Sequence, residues 1–451
     1  MKELKFPDGF LWVESKLLYF QRVLQKIVPN FLIPKPRAFV VSTKECLNFP
    51  KNFLWGSSTS AYQVEGGIGP VRSLAHDKVA SPEDLGEATS NGVENDWSEA
   101  ARQGKVPFAG RACDSYNRYE EDFDIAKSLG QNAHRFSIEW ARVEPEEGKF
   151  DEQAIDHYRK VLQALRDRGL EPVVTLYHWT LPLWFVKKGS WLAKDSHQTF
   201  GSFVERVVSE YKDLVKFWIT LNEPMVYASG GFLRGNWPPF VRSPVVFLRV
   251  ISRLTTSHDV AYDKIKSISA TAQVGIAKHN INFESNANPI YQLAAKFMIW
   301  FWNHRFLRKI AKKQDFLGLN YYFHRKFGDS TIHEKSDLNW DIYPAGIRNL
   351  LLELQQYNKP IYIFENGLAD AKDEKRAKFI RDHLTWVHRA IQEGIDVRGY
   401  FYWSLLDNFE WAHGFGPRFG LVEMNYATME RHIRLSAYEY KKICESNAIL
   451  T

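Results

Sequence analysis

Cysteine is almost absent. Three residues in 451, Cys46, Cys113 and Cys444, cannot form a disulfide framework. No Cys-x-x-Cys pair and no His/Cys cluster with ligand spacing occurs, so no metal site is expected. The sparse thiols favour a reducing cytoplasm. A strong charge of one sign is also lacking. Lys plus Arg is 59 against 53 for Asp plus Glu, a balance of +6. Without a dense basic run, nucleic acid is not an expected partner. From Phe53 onward there is no linker, no low-complexity tract and no break in composition. No Gly-x-Gly-x-x-Gly follows the first apolar run, which argues against a dinucleotide-binding sheet.

Aromatic residues are plentiful, with 15 Trp and 20 Tyr. Their faces can stack on the C–H face of a sugar, or simply fill the core of a large domain. At 45% hydrophobic and 25% charged, the chain can bury a large core unaided.

Residues 1–48 read as an extension. Lys5-Phe6-Pro7-Asp8-Gly9-Phe10-Leu11-Trp12 is echoed by Asn48-Phe49-Pro50-Lys51-Asn52-Phe53-Leu54-Trp55, as if one motif began twice. Between the copies, Leu17, Phe20, Leu24, Ile27, Val28 and Phe31 recur at helical spacing over residues 14–33. Lys16, Arg22 and Lys26 make the segment too charged to span a bilayer. It lacks the cleavage site of a signal peptide. Such a basic amphipathic helix can lie on a membrane surface. The plainer expectation is packing on the outside of the main domain, residues 49–451.

In that domain, short apolar runs alternate with amphipathic stretches. Strands are expected at Phe53–Ser57, Ala133–Glu139, Pro172–His178, Phe217–Asn222, Gln273–Lys278, Phe316–Tyr321, Ile361–Glu365 and Val397–Trp403. Helices are expected at Glu120–Leu129, Asp151–Arg168, Thr199–Tyr211, Thr256–Ser267, Tyr291–Ile310, Gly346–Tyr357 and Ala377–Glu393. Eight β-then-α units imply an α/β fold closed as a single (β/α)8 TIM barrel. Polar residues collect at the carboxyl ends of the apolar runs, where barrel enzymes build their sites. They include His178 and Trp179, Asn222 and Glu223, Asn320 and Tyr322, Glu365 and Asn366, and Trp403.

Two of these are carboxylates, in Thr220-Leu221-Asn222-Glu223-Pro224 and Phe364-Glu365-Asn366-Gly367. Two carboxyl groups that flank a glycosidic bond can hydrolyse it. A separation of about 5 Å gives retention and about 6.5–9.5 Å gives inversion. Sequence leaves that distance open.

From Phe49 to about Tyr440 the chain resembles glycoside hydrolase family 1, the β-glucosidase and β-galactosidase family. The resemblance lies in Phe49-Pro50, Phe53-Leu54-Trp55-Gly56, Ala61-Tyr62-Gln63-Val64-Glu65-Gly66, the Asn222-Glu223-Pro224 motif and Glu365-Asn366-Gly367. It implies a retaining β-glycosidase, with Glu365 as nucleophile and Glu223 as general acid/base. It further implies that Asn222 binds the sugar 2-hydroxyl, that Tyr322 orients Glu365, and that Arg135 sets positive charge beside it. Gln63, His178, Trp179, Asn320, Trp403, Glu410, Trp411 and Phe419 are the implied sugar-binding residues. A carboxylate at Glu410 would repel a 6-phosphate, which favours non-phosphorylated glycosides. Glucose against galactose stays open. Carboxyl groups supply the nucleophile and the protons, so no cofactor is expected.

The chain departs from the family pattern. Phe364 replaces the usual Thr before the nucleophile, and Thr180 stands where an Asp is common. The stretch from about Asn280 to Lys313, and the region after Tyr322, look trimmed. Shorter loops predict an open mouth and loose aglycone selectivity. Phe297, Trp300, Phe301 and Trp302 are expected to pack in the core; the alternative is an apolar groove for a partner or lipid. A binding barrel without turnover, and a membrane-surface glycosidase tethered by residues 14–33, are the rival readings.

Overall fold

The structure is a computed structural model that describes residues 46–67, 93–328 and 333–450. The amphipathic segment at residues 14–33 and the first copy of the doubled motif lie outside the described residues. Strand β1 (Cys46–Asn48) falls inside the expected extension. It pairs antiparallel with the last strand, Ala448–Leu450.

The apolar runs form a closed parallel barrel in chain order. Its strands are β2 (Leu54–Ser58), β3 (Ala133–Ser137), β4 (Glu171–Thr175), β5 (Phe217–Asn222), β6 (Gln273–Ser285), β7 (Leu317–Phe327), β8 (Ile361–Asn366) and β9 (Val397–Trp403). Ser58 sits opposite Trp403 where the sheet closes. This is the expected (β/α)8 architecture.

The helices follow from periodicity and caps. In Glu152–Asp167, Asp151 accepts from the free N–H groups of Gln153 and Ala154. Ile155, Tyr158, Leu162 and Leu165 share the face turned to the barrel and are buried. Helix Pro244–Ile268 starts a full three turns before the expected Thr256. Ser243 caps it through Val246 N–H, and Pro244 occupies the first turn, where its missing N–H does no harm.

Side chains fill the barrel rather than leaving a pore. Val173, Phe217, Ile219, Phe316, Tyr362, Phe364 and Phe401 form the inner cluster. Large rings need small neighbours. A Cβ on Gly318 would sit 2.4 Å from Ile276 O and 2.6 Å from the Phe364 ring.

Several boundaries differ from expectation. β3 and β4 stop at Ser137 and Thr175, short of Glu139 and His178, because the chain leaves the sheet to form the mouth. Trp179 there has φ 78. β6 and β7 instead overrun their expected ends at Lys278 and Tyr321. Ile281–Ser285 pair with Phe323–Phe327, beyond a register shift at Asn280/Ile281. Away from the other strands the two satisfy each other's backbone groups, and the Phe283 and Phe327 rings stack at 6.1 Å.

Candidate active site

A cavity of about 530 Å³ opens at the carboxyl ends of the barrel strands. Glu223, Glu365 and Glu410 all line it, with Gln63, His178, Trp179, Tyr322, Trp403, Trp411 and Phe419. Sequence had marked all ten. Arg135, Asn222 and Asn320 lie beneath them, fully buried.

Glu365 is the last residue but one of β8 and is 4% exposed. Both its oxygens have donors. Arg135 Nη1 lies 2.5 Å from Oε1, and the Tyr322 hydroxyl donates to Oε2 at 3.0 Å. Arg135 projects from β3 and is held on three sides. Its Nη2 donates to Asn222 Oδ1 at 2.8 Å and its Nε to Thr175 Oγ1 at 3.1 Å. The guanidinium also lies over the Phe364 ring, 5.7 Å from its centre. Phe364 is therefore the apolar floor under the ion pair. A planar cation with a fixed fork keeps its hydrogen-bond directions only if its faces are packed.

Glu223 follows β5 with φ 44. This left-handed backbone is strained for a non-glycine residue, a condition that clusters at functional sites. Its N–H donates to Ala277 O at 2.7 Å, and Pro224 starts a short helix behind it. Its Oε1 accepts from Asn320 Nδ2 at 2.8 Å. Among the described residues no cation hydrogen-bonds to it. Burial, then the neighbouring Glu365 charge, push its carboxyl up to about 8, against smaller pulls from Asn320, Arg135 and Lys278. The two carboxylates thus have unlike surroundings, yet Arg135, Asn222 and Asn320 link them in one relay.

Glu410 stands on the wall, partly exposed. Burial and the Glu365 charge push it up to about 8. Gln63 Nε2 reaches it at 3.4 Å while also donating to Asn408 Oδ1 and Phe409 O. Glu410 thus keeps acceptor capacity for a ligand. His178 Nε2 lies 3.0 Å from Asn222 Nδ2. An amide nitrogen donates, so Nε2 accepts and the proton of the neutral ring sits on Nδ1. Burial, then Arg135, hold His178 well below the usual histidine range. Nδ1 has no partner among the described residues, which leaves a donor for a hydroxyl ligand. The rings of His178 and Trp411 stack at 6.0 Å, and those of His178 and Trp403 at 6.1 Å. The Trp179 indole is not free, because it donates to Asn222 O at 2.9 Å. Thr180 lies off the cavity and donates to Glu139 at 2.9 Å.

Sequence missed one wall. His279, Ile281, Phe323 and Arg325, from the overrun of β6 and β7, line the cavity with Trp237, Arg234, Trp340 and Trp302. The signal was the polar string Lys278-His279-Asn280, which reads as a strand end. Lys278 is 1% exposed. It donates to His279 O at 2.5 Å and lies 5.7 Å from the Trp302 ring centre. Burial lowers its amine to about 7, against the pull of Glu223 and Glu353. The expectation of core packing fails for Phe297 and Trp300, which are 54% and 43% exposed, and Trp302 faces the cavity.

The model of the family described as Glycosyl hydrolase family 1 matches residues 46–309 and 291–449. Beta-glucosidase A of Acetivibrio thermocellus is 33% identical over 458 residues, covering 89% of this chain and 99% of that protein. A beta-galactosidase of Sulfolobus acidocaldarius is 30% identical, covering 89% and 96%. The structure of a beta-glycosidase from Pyrococcus horikoshii superposes with a TM-score of 0.81 at 37% identity, covering 90% of this chain and 97% of that one. These matches run through both carboxylate-bearing strands and almost the whole barrel, and on them the chain belongs to glycosyl hydrolase family 1 as a β-glycosidase.

Proposed function

We propose that the protein hydrolyses terminal, non-phosphorylated β-glycosides with retention, by double displacement. Glu365 attacks the anomeric carbon as Glu223 protonates the departing oxygen, leaving a glycosyl ester on Glu365. Glu223 then takes a proton from water, which attacks the same carbon and frees Glu365. The observation that carries this reading is the unlike setting of the two carboxyl groups. Glu365 faces a guanidinium and a phenol, while Glu223 faces an amide and is pushed up to about 8. One group is equipped as an anion and the other to hold a proton, the division of labour this chemistry needs.

The roles of the other residues follow from their free hydrogen-bonding capacity. Asn222 Nδ2 gives one hydrogen to His178 and keeps a second for the sugar 2-hydroxyl. His178 Nδ1 and the Glu410 carboxyl are suited to hydroxyls further round the ring. Trp403 and Trp411 offer faces to its C–H side. Glu410 offers a 6-phosphate no cation to pair with, which disfavours a phosphorylated sugar. Because the A. thermocellus relative is named a β-glucosidase and the S. acidocaldarius relative a β-galactosidase, both sugars are candidate glycones, with fucoside as a third.

The test is release of p-nitrophenol from the β-glucoside, β-galactoside, β-fucoside and 6-phospho-β-glucoside, with Glu365→Ala as blank. Proton NMR of the first product formed adds the stereochemistry. Turnover of the first three, lost in the variant, with the β-anomer appearing first, is expected. First appearance of the α-anomer would refute retention.

A further inference from the structure

Two stretches that begin near the carboxyl end of the barrel and run down its side carry no acidic residue. Between Glu223 and Asp259 there is none, against Arg234, Arg242, Arg249 and Arg253. From Pro289 to Lys313 there is again none, against Lys296, Arg305, Arg308, Lys309, Lys312 and Lys313. Among the described residues, only Lys313 of these ten cations has an ion-pair partner, Asp263.

The same stretches hold most of the exposed large apolar side chains of the described residues. Eight of the ten large apolar side chains that the described residues leave exposed lie in them, which makes a patch rather than a scatter. Helix Pro289–Met298 buries only Ala295. Its Ile290, Leu293 and Phe297 fall at helical spacing and are 73%, 70% and 54% exposed. Trp300 continues the row. Val245 and Leu248 on the neighbouring helix are 66% and 38% exposed. Phe247 of that helix and Phe301, in the turn Ile299–His304 that continues Pro289–Met298, bring their rings within 6.2 Å. Arg234 and Trp302 line the cavity, so the patch reaches its rim.

We propose that this face docks on an anionic phospholipid surface. Exposed apolar side chains interleaved with unpaired cations match a bilayer interface, where hydrocarbon and phosphate lie within a few ångströms of each other. A second copy of the chain fits less well, since a two-fold contact would set like charges against each other. No helix among the described residues is long and apolar enough to cross a membrane, so the contact is peripheral. It brings the cavity rim to the lipid, where glycosides with hydrocarbon aglycones concentrate.

The experiment is co-sedimentation of the full chain with phosphatidylcholine vesicles, with and without phosphatidylglycerol. Residues 14–33 are a second basic amphipathic stretch, so they are kept in every variant. The comparison is with Ile290→Asp/Leu293→Asp/Phe297→Asp, none of which lines the cavity, and with Arg249→Glu/Lys296→Glu. Expected are binding that requires phosphatidylglycerol and weakens with salt, and at least about a tenfold loss of partitioning in each variant. Turnover of p-nitrophenyl glucoside in solution should stay at the parent value, which verifies folding. Should the triple variant lose that turnover, the charge-reversal variant gives the readout. The proposal is overturned if the parent fails to bind, if it binds phosphatidylcholine equally well, or if a folded variant binds as the parent does. A parent dimer in sedimentation velocity that the triple variant abolishes would also overturn it, in favour of a second copy.

Discussion

Replacing Glu223 with Gln should abolish turnover and at the same time stabilise the fold, by an amount that grows with pH. The carboxyl of Glu223 is 4% exposed and is raised from 4.5 to about 8. Between those values the folded state holds the proton that the unfolded chain releases. This group's stabilising contribution is therefore greatest below 4.5 and is lost as pH rises towards 8. Integrating the two titrations from pH 5 to pH 8 gives a loss of about 3 kcal/mol in the parent. Gln keeps the shape and can still accept from Asn320 Nδ2, but it cannot ionise. Glu410 is also raised to about 8, yet it is common to both proteins and drops out of the difference. Thermal or urea unfolding of both proteins at pH 5 and pH 8 measures the gap. Glu223→Gln should gain stability over the parent by a few kcal/mol more at pH 8 than at pH 5. A gap independent of pH, or one that narrows, would refute the electrostatic account of this site.

The same titration governs activity. In the proposed mechanism a protonated Glu223 releases the leaving group, so kcat/KM should fall tenfold per pH unit above about 8. Tyr322→Phe deletes the donor to Glu365 Oε2. It should lower kcat/KM for the β-glucoside by roughly 10- to 100-fold, as expected for a lost hydrogen bond of about 1.5–3 kcal/mol to a charged group.

The barrel was legible because each β/α unit has its own hydrophobic period and most strands begin as a short stretch rich in apolar residues. The carboxylates stood out because Glu223 and Glu365 end such runs, where an acidic side chain has no structural use. The boundaries that failed lie where that logic lapses. Lys278-His279-Asn280 looks like the end of β6, yet all three are buried. The strand continues because β7 pairs with it. The relay through Arg135, Asn222 and Asn320 joins three strands, and no local spacing encodes it. Phe364 marked a departure from the family pattern in sequence. Only the packing shows its ring beneath Arg135, with Gly318 making room. Phe297 and Trp300 have the helical spacing of core residues, and spacing cannot tell a covered face from an open one.

In the proposed double displacement, Glu365 carries the sugar between the two steps. Incubation with a 2-deoxy-2-fluoro-β-glucoside bearing a good leaving group should slow breakdown of the glycosyl-enzyme, and peptide mass mapping should then locate the adduct. Stoichiometric labelling of the peptide that contains Glu365, lost in Glu365→Gln, is expected. Labelling at Glu223 or Glu410, or full turnover without any adduct, would contradict it.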